Sequence, residues 1–403
     1  MLKLNVKLRF PNNTLFTCGE IITEEPDSRG FINGAFRYTL LYLEHPLAFA
    51  LDPVNLPLSP REFQTKRSQG VHAVFEDALP DDWGKQLLIK SAKLNRKDQT
   101  IPKLLEVLGA NGLGALIFEA KRKISLKNPC ISIKKIESVL NAALRYDAGL
   151  HVENKELELL FRHGSSPGGA RPKVLVQKNK NSLWIAKFPK HNDAFDVQSI
   201  EASTLEIAKA AGLIVPDFEI LNIGKRKILL IKRFDISKQG GRYHMISMET
   251  LLRAKGYYHV NYNDLFDVIK SCSIQPVIDT TLLFKQMVFN VAMGNTDDHL
   301  KNFTMLHKES GYSLSPAYDL LPDIYERREH TLSFPGGAGS LPPDRQTLNT
   351  AGRYYNIAVP GKIIDEVVQA VSKWCRVFQN HGVNKMVIQQ LGKSINQRIR
   401  YLQ

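Results

Sequence analysis

The first sixty residues alternate apolar and polar positions, with turn residues between the runs. Val6-Lys7-Leu8-Arg9-Phe10 has the period of two of a strand, Asn12-Asn13 marks a turn, and residues 14–18 resume the alternation. Asn33-Gly34 precedes a third strand-like run over residues 36–42. The period then lengthens. Asp81-Asp82-Trp83 open a helix that continues through Leu87, Leu88 and Lys90, with its acids where the helix dipole favours them. A second helix is predicted from Ile101 to Leu108, stopped by Gly109. Gly112 and Gly114 then turn the chain into the apolar Ala115-Leu116-Ile117-Phe118.

Residues 131–161 carry helical periodicity, and residues 163–169 form a glycine-rich loop. The runs 174–177 and 183–188 flank a polar Asn179-Lys180-Asn181, which predicts a hairpin. An amphipathic helix over 199–211 ends at Gly212, and two more strands follow at 217–223 and 227–234. Beyond Ser247 the pattern is mostly helical, interrupted by an irregular stretch from Asn295 to about Asp323. The order is a small α/β unit, then a β-rich lobe with one helix, then a helical lobe.

Composition adds little beyond class. The chain has 403 residues, more than one compact core usually holds, so two or three packed units are expected. An apolar share of 43% and a charged share of 23% suit a folded globular chain rather than a disordered one. No run of about 20 apolar residues would span a membrane. The start lacks the apolar core of a signal peptide, and neither end carries a lipidation motif. Cys18, Cys130, Cys272 and Cys375 lie far apart without zinc-type spacing, which fits a reducing, cytoplasmic setting. The net charge of +14 attracts nucleic acid, nucleotides and acidic proteins alike.

The most informative stretch is Gly294-Asn295-Thr296-Asp297-Asp298-His299-Leu300-Lys301-Asn302-Phe303, directly after a strongly apolar helix. Asp319 follows in Pro316-Ala317-Tyr318-Asp319. Asp297, Asn302 and Asp319 form a D-x4-N…D series. Phosphoryl transfer needs such a set: one carboxylate to accept a hydroxyl proton, and an amide and a second carboxylate to hold magnesium against nucleotide phosphates. The spacer equals that of the protein-kinase catalytic loop. The competing reading is a polar turn with helix caps. His299 with Asp297 or Asp298 would be a zinc or iron set, but no second histidine lies at a suitable short spacing. His299 is therefore expected to hydrogen-bond the loop from within.

Upstream, Lys187 sits in a mostly apolar strand, where it must reach an anion or suffer desolvation. Glu201, early in the next helix, could pair with it; the alternative is an edge lysine and a surface glutamate. Gly164-Ser165-Ser166-Pro167-Gly168-Gly169 matches neither common phosphate-loop pattern. Its paired glycines, Gly168 and Gly169, still allow close backbone approach to phosphate, and Ser165 and Ser166 are candidate phosphate acceptors. The strand 229–235 stands where a kinase hinge would meet adenine.

With these pieces in order, the chain resembles the HipA family of serine/threonine protein kinases, the toxins of bacterial toxin–antitoxin pairs. The resemblance is carried by SSPGGARPKVLV (165–176), LWIAKFP (183–189), IKRFD (231–235), GNTDDHLKNF (294–303) and PAYDLLPD (316–323), with LPDDWGKQLL (79–88) and GANGLGALIF (109–118) fitting the family's accessory subdomain. It implies an α+β, protein-kinase-like two-lobed fold with a β-rich N-lobe, an α-helical C-lobe and an N-terminal α/β accessory subdomain. The expected divisions are 1–125, 126–235 and 236–403. It further implies ATP and Mg2+ as cofactors. Asp297 would be the catalytic aspartate, Asn302 and Asp319 the magnesium ligands, and Lys187 the contact to ATP phosphates. Backbone at Lys232, Arg233 and Phe234 would meet adenine, with Gly168 and Gly169 over the nucleotide. Glu201 and His299 would be supporting residues. Ser166, or its neighbour Ser165, would be autophosphorylated.

The implied partners are a HipB-like helix-turn-helix antitoxin and a protein substrate, for which the family offers aminoacyl-tRNA synthetases. Operator DNA would be reached only through the antitoxin complex, and no membrane is involved. Two departures stand out: the loop reads Ser-Pro-Gly-Gly rather than Ser-Ile-Ala-Gly, and Lys232 stands where some members carry glutamate. The rival readings are a catalytically idle kinase-like module that binds antitoxin and operator DNA, and a phosphotransferase acting on small molecules.

Overall fold

A computed structural model describes the chain except residues 66, 121–129, 154–155, 157–159, 161–170, 180–181, 255–259, 309, 325–328 and 338. The chain divides into two compact units. The first comprises residues 1–192, 230–246 and 306–309; the second comprises 193–229, 247–305 and 310–403. The fold is α+β, with strand-rich and helical regions.

In the first unit, strands Leu2–Arg9, Leu15–Thr23, Gly34–Tyr38, Glu62–Gln64 and Leu116–Glu119 form an antiparallel sheet. Leu2–Arg9 lies between Leu15–Thr23 and Leu116–Glu119. Alternation explains the first strand: Leu4, Val6 and Leu8 are buried, while Lys3 and Lys7 reach Glu20 and Glu119 on the other face. Gly19 sits in a strand because a Cβ there would lie 2.4 Å from the Phe36 ring. The aromatic core is Phe36, Tyr38, Tyr42, Phe75 and Phe118.

The strand predicted over 36–42 ends early, at Tyr38. Thr39 instead caps a short helix, Leu40–Leu43, by accepting from the Tyr42 N–H. The helix from Ile101 to Leu108 ends at Gly109 as the pattern predicts, with Gly109 at φ 57°.

The segment predicted as helical over 131–161 is more mixed. Ile131–Ser132 is a strand parallel to Lys173–Asn179, and the α-helix covers Ile136–Asp147. The hairpin is present: Lys173–Asn179 pairs antiparallel with Ser182–Lys187. Residues 230–232 end the strand Arg226–Lys232, after which the Arg233 N–H donates to the Leu183 carbonyl. The loop 163–169 lies outside the described residues.

The second unit is largely helical. Its central helix, Pro276–Met293, is buried over most of its turns and packs with Tyr262–Cys272, Pro360–Val371 and Lys385–Leu402. Hydrophobic positions recur all round it, as befits a helix enclosed by others. The helix Val197–Ala210 begins at Asp196, whose side chain accepts from the Ser199 N–H. Among the described residues, no helix is long and apolar enough to cross a membrane.

Candidate active site

The second unit builds the D-x4-N…D series from the end of the helix Pro276–Met293. Gly294 terminates it in the left-handed region at φ 74°, where a Cβ would meet Arg398 Nε at 3.0 Å. The Asn290 carbonyl accepts from the N–H groups of both Gly294 and Asn295, and Asn295 Nδ2 donates to Asn290 Oδ1 at 3.0 Å. The helix end thus launches an extended loop in a fixed direction.

Asp298 anchors that loop from inside. It is 1% exposed. Its carboxylate accepts from the Tyr262 hydroxyl at 2.8 Å, the Thr331 N–H at 2.8 Å and the Leu332 N–H at 3.3 Å. His330 Nδ1 lies 3.2 Å from the same carboxylate, and Arg398 Nη1 lies 3.2 Å from His330 Nε2. Arginine can only donate, so Nε2 accepts and Nδ1 carries the proton given to Asp298. Burial, with the adjacent Asp298 charge second, pushes the Tyr262 phenol well above its ordinary range, so it stays a donor. Burial also lowers the Arg398 guanidinium, while Asp323 and Asp298 oppose that shift.

With Asp298 turned inward, its neighbour Asp297 is exposed. The Asp297 carbonyl accepts from Asn302 Nδ2 at 2.9 Å, which fixes the nearly buried amide and turns its Oδ1 end away from that contact. The Tyr318 hydroxyl donates to the Lys301 carbonyl at 2.7 Å, and the Ser315 N–H to the Thr304 carbonyl at 2.9 Å. These bonds draw the segment ending in Asp319 alongside the turn that holds Asn302. Asp319 adopts φ 55°, a sparsely populated conformation outside glycine that clusters at functional sites. Asn302 is bonded to Asp297, and Tyr318, next to Asp319, is bonded to the same turn.

The loop-securing role expected of His299 falls to Asp298. His299 is half-buried, and its side chain makes no hydrogen bond among the described residues. No cluster of three or more histidine, cysteine or acidic side chains suited to a metal occurs among the described residues. An amide oxygen with a carboxylate oxygen, Asn302 and Asp319, is a hard donor set of the kind magnesium takes alongside water and phosphate.

Other candidates lie elsewhere in the fold. Lys187, 9% exposed, closes the strand Ser182–Lys187 in the first unit. It stands in register opposite Lys173, which is 4% exposed. Opposed across the hairpin, both lysines are buried, and Lys173 joins the candidates by that position. Lys173 is a residue that sequence reasoning missed. Its signal was available: a lysine opening the apolar Val174-Leu175-Val176. Lys232 is exposed and Phe234 half-buried. Arg233 is turned into the first unit, donating through Nε and Nη2 to Asp235 at 2.9 and 2.5 Å. Glu201 is buried on the helix Val197–Ala210 in the second unit. Ser165, Ser166, Gly168 and Gly169 lie outside the described residues.

Comparison with known proteins now defines the class. The model of the HipA-like C-terminal domain matches residues 165–375, and that of the HipA N-terminal domain matches residues 19–119. The chain belongs to the HipA family. Among its relatives is the serine/threonine-protein kinase toxin HipA of Shewanella oneidensis, 25% identical over 318 residues, covering 71% of this chain and 70% of the relative. Y4mE of Sinorhizobium fredii, named as a kinase, is 29% identical over 150 residues, 35% of this chain; the match spans about a third of its length (34%). A solved Shewanella oneidensis complex of HipA, HipB and operator DNA contains a chain similar in fold. Its TM-score is 0.69 at 19% identity, covering 99% of this chain and 96% of that one.

Proposed function

We propose that the protein is an ATP- and magnesium-dependent serine/threonine protein kinase, the toxin half of a HipA-type toxin–antitoxin module. The observation that carries this reading is the bonding of Asn302 to Asp297 and of Tyr318, next to Asp319, to the same turn, with Asp298 buried as the anchor.

In this mechanism Asp297 orients the acceptor hydroxyl and takes its proton on an exposed carboxylate. Asn302 and Asp319 would hold magnesium, which when bound supplies positive charge against the nucleotide phosphates. Lys187, which stands opposite Lys173 in the hairpin, meets phosphate charge. Backbone at Lys232 and Phe234 meets adenine, because the Arg233 N–H is already committed to Leu183. Gly168 and Gly169 cover the nucleotide, and Glu201 supports the site. The work is positioning and electrostatics rather than covalent catalysis.

The same reading assigns an accessory subdomain to 1–125, an N-lobe to 126–235 and a C-lobe to 236–403. It places the protein in the cytoplasm, with a HipB-like antitoxin as partner, operator DNA reached through that partner, and a cellular protein such as an aminoacyl-tRNA synthetase as substrate.

The test is to incubate purified protein with labelled ATP and magnesium and to locate incorporated phosphate by mass spectrometry. Phosphate on Ser165 or Ser166, absent in Asp297→Ala, is expected. ATP binding without any transfer would instead favour the idle module.

A further inference from the structure

Asp279 stands in the first turn of the helix Pro276–Met293 and is fully buried, at 0% exposure. A carboxyl group taken out of water needs hydrogen-bond partners. Asp279 accepts from the Ser273 hydroxyl at 2.6 Å, from Gln275 Nε2 at 3.0 Å and from the Leu314 N–H at 2.8 Å. Two of these donors lie on the turn just before the helix. The third belongs to the strand Tyr312–Leu314, a short way ahead of Asp319.

Turn and strand are also fitted together at the backbone. The Ile274 N–H donates to the Tyr312 carbonyl at 2.9 Å. At Gly311, where φ is 145°, a Cβ would lie 2.4 Å from Ile274 Cγ2, so glycine lets the strand start this close.

Further along, the Asp323 N–H donates to the Gly294 carbonyl at 2.8 Å. The segment from Leu314 to Asp323 is therefore tied to both ends of one helix. From Asp279 to Gly294 that helix rises about 22 Å. A fully extended chain from Leu314 to Asp323 reaches about 30 Å. Little slack remains, and Asp319 lies near the middle with φ 55°. A sparsely populated backbone conformation persists only where its surroundings over-determine it. The tie at Gly294 runs backbone to backbone. The tie at Leu314 depends on the identity of one side chain.

We propose that Asp279 is a positioning residue for Asp319. Through the Leu314 N–H it fixes the segment carrying Asp319 to the first turn of the same helix whose last turn launches Asp297 and Asn302. This inference rests on the kinase reading, in which Asp319 holds magnesium.

The test uses the full chain and three variants. Asp279→Ala removes the acceptor for Leu314. Asp279→Asn keeps it, because the asparagine carbonyl can face Leu314 while its amide turns to Gln275, whose own amide can flip to accept. Gln275→Ala takes a donor from the same carboxyl group and spares the Leu314 bond, so it reports what lost stability alone would do. Two quantities are measured: amide hydrogen exchange over residues 312–319, and calorimetric affinity for the magnesium complex of the non-hydrolysable ATP analogue AMP-PNP. Asp279→Ala is expected to speed exchange at Leu314 and to weaken nucleotide affinity, each about tenfold, while the other two variants stay within about twofold of the parent. Rapid exchange of Leu314 in the parent itself would overturn the proposal, and that arm needs no variant to fold. So would unchanged affinity in Asp279→Ala, or an equal loss in Gln275→Ala. The expected pattern in a parent that binds the nucleotide but transfers no phosphate would support the tie and reject the kinase reading. Full transfer with unchanged affinity in Asp279→Ala would do the reverse.

Discussion

Two buried charged clusters, one in each unit, are built on opposite principles. In the second unit Asp298 is surrounded by donors of matched number: a phenol, two backbone N–H groups and an imidazole backed by Arg398. In the first unit the buried carboxylate of Asp235 is bound by Arg233, with Arg242 and Arg9 buried in the same cluster. A balanced cluster spends its interactions on holding backbone in place. The first-unit cluster sets like charges together: Arg233 and Arg9 both depress the Arg242 guanidinium, and Asp235 opposes them. The contrast separates two neighbouring aspartates as well: Asp298 is buried and anchors the loop, while Asp297 beside it is exposed.

The comparison breaks most visibly at Asp298. Asp298→Ala strands the Tyr262 hydroxyl, two N–H groups and His330 in the interior, so unfolding free energy should drop by about 3–5 kcal/mol. Denaturant titration measures this, and a loss below about 1 kcal/mol would show that the anchor is not what holds the loop.

A second effect sharpens the first unit's side. His244 is buried with its imidazole lowered to about 4. Above pH 6.5 neither state is protonated there and the group is silent. Below it the unfolded chain takes up a proton that the folded protein refuses, so stability falls between about pH 6.5 and 4 and levels off beneath. The loss is on the order of 3 kcal/mol. His307 acts in the same direction, and burial also lowers His72. His244→Gln should flatten this slope in stability measured against pH.

A smaller change tests the balance within the Asp298 cluster. Tyr262→Phe removes one donor to Asp298 and the acceptor used by Asn290 Nδ2, and should cost about 1–3 kcal/mol. A neutral outcome would mean that the remaining donors suffice.

Much of this was legible in the chain. The alternation of residues 6–10, the helix stop at Gly109 and the hairpin around Asn179 are local signals that local physics honours. What escaped depended on which partner a side chain found. Nothing in Asp297-Asp298-His299 says which side chain turns inward, because that choice is made by Thr331, His330 and Arg398, supplied 30 to 100 residues later. Thr39 read as a β-branched strand residue, yet its hydroxyl found the Tyr42 N–H and began a helix. The first unit's Arg233 read as part of a nucleotide-facing strand. That expectation concerned its backbone; the side chain is bound by Asp235, two residues on.

The most direct test of the central claim compares Asp297→Asn and Asp298→Asn for phosphate transfer and unfolding free energy in the same preparations. The account predicts that Asp297→Asn loses transfer by about 10²- to 10⁴-fold while keeping stability within about 0.5 kcal/mol of the parent, and that Asp298→Asn loses stability. Full phosphate transfer by Asp297→Asn would contradict it.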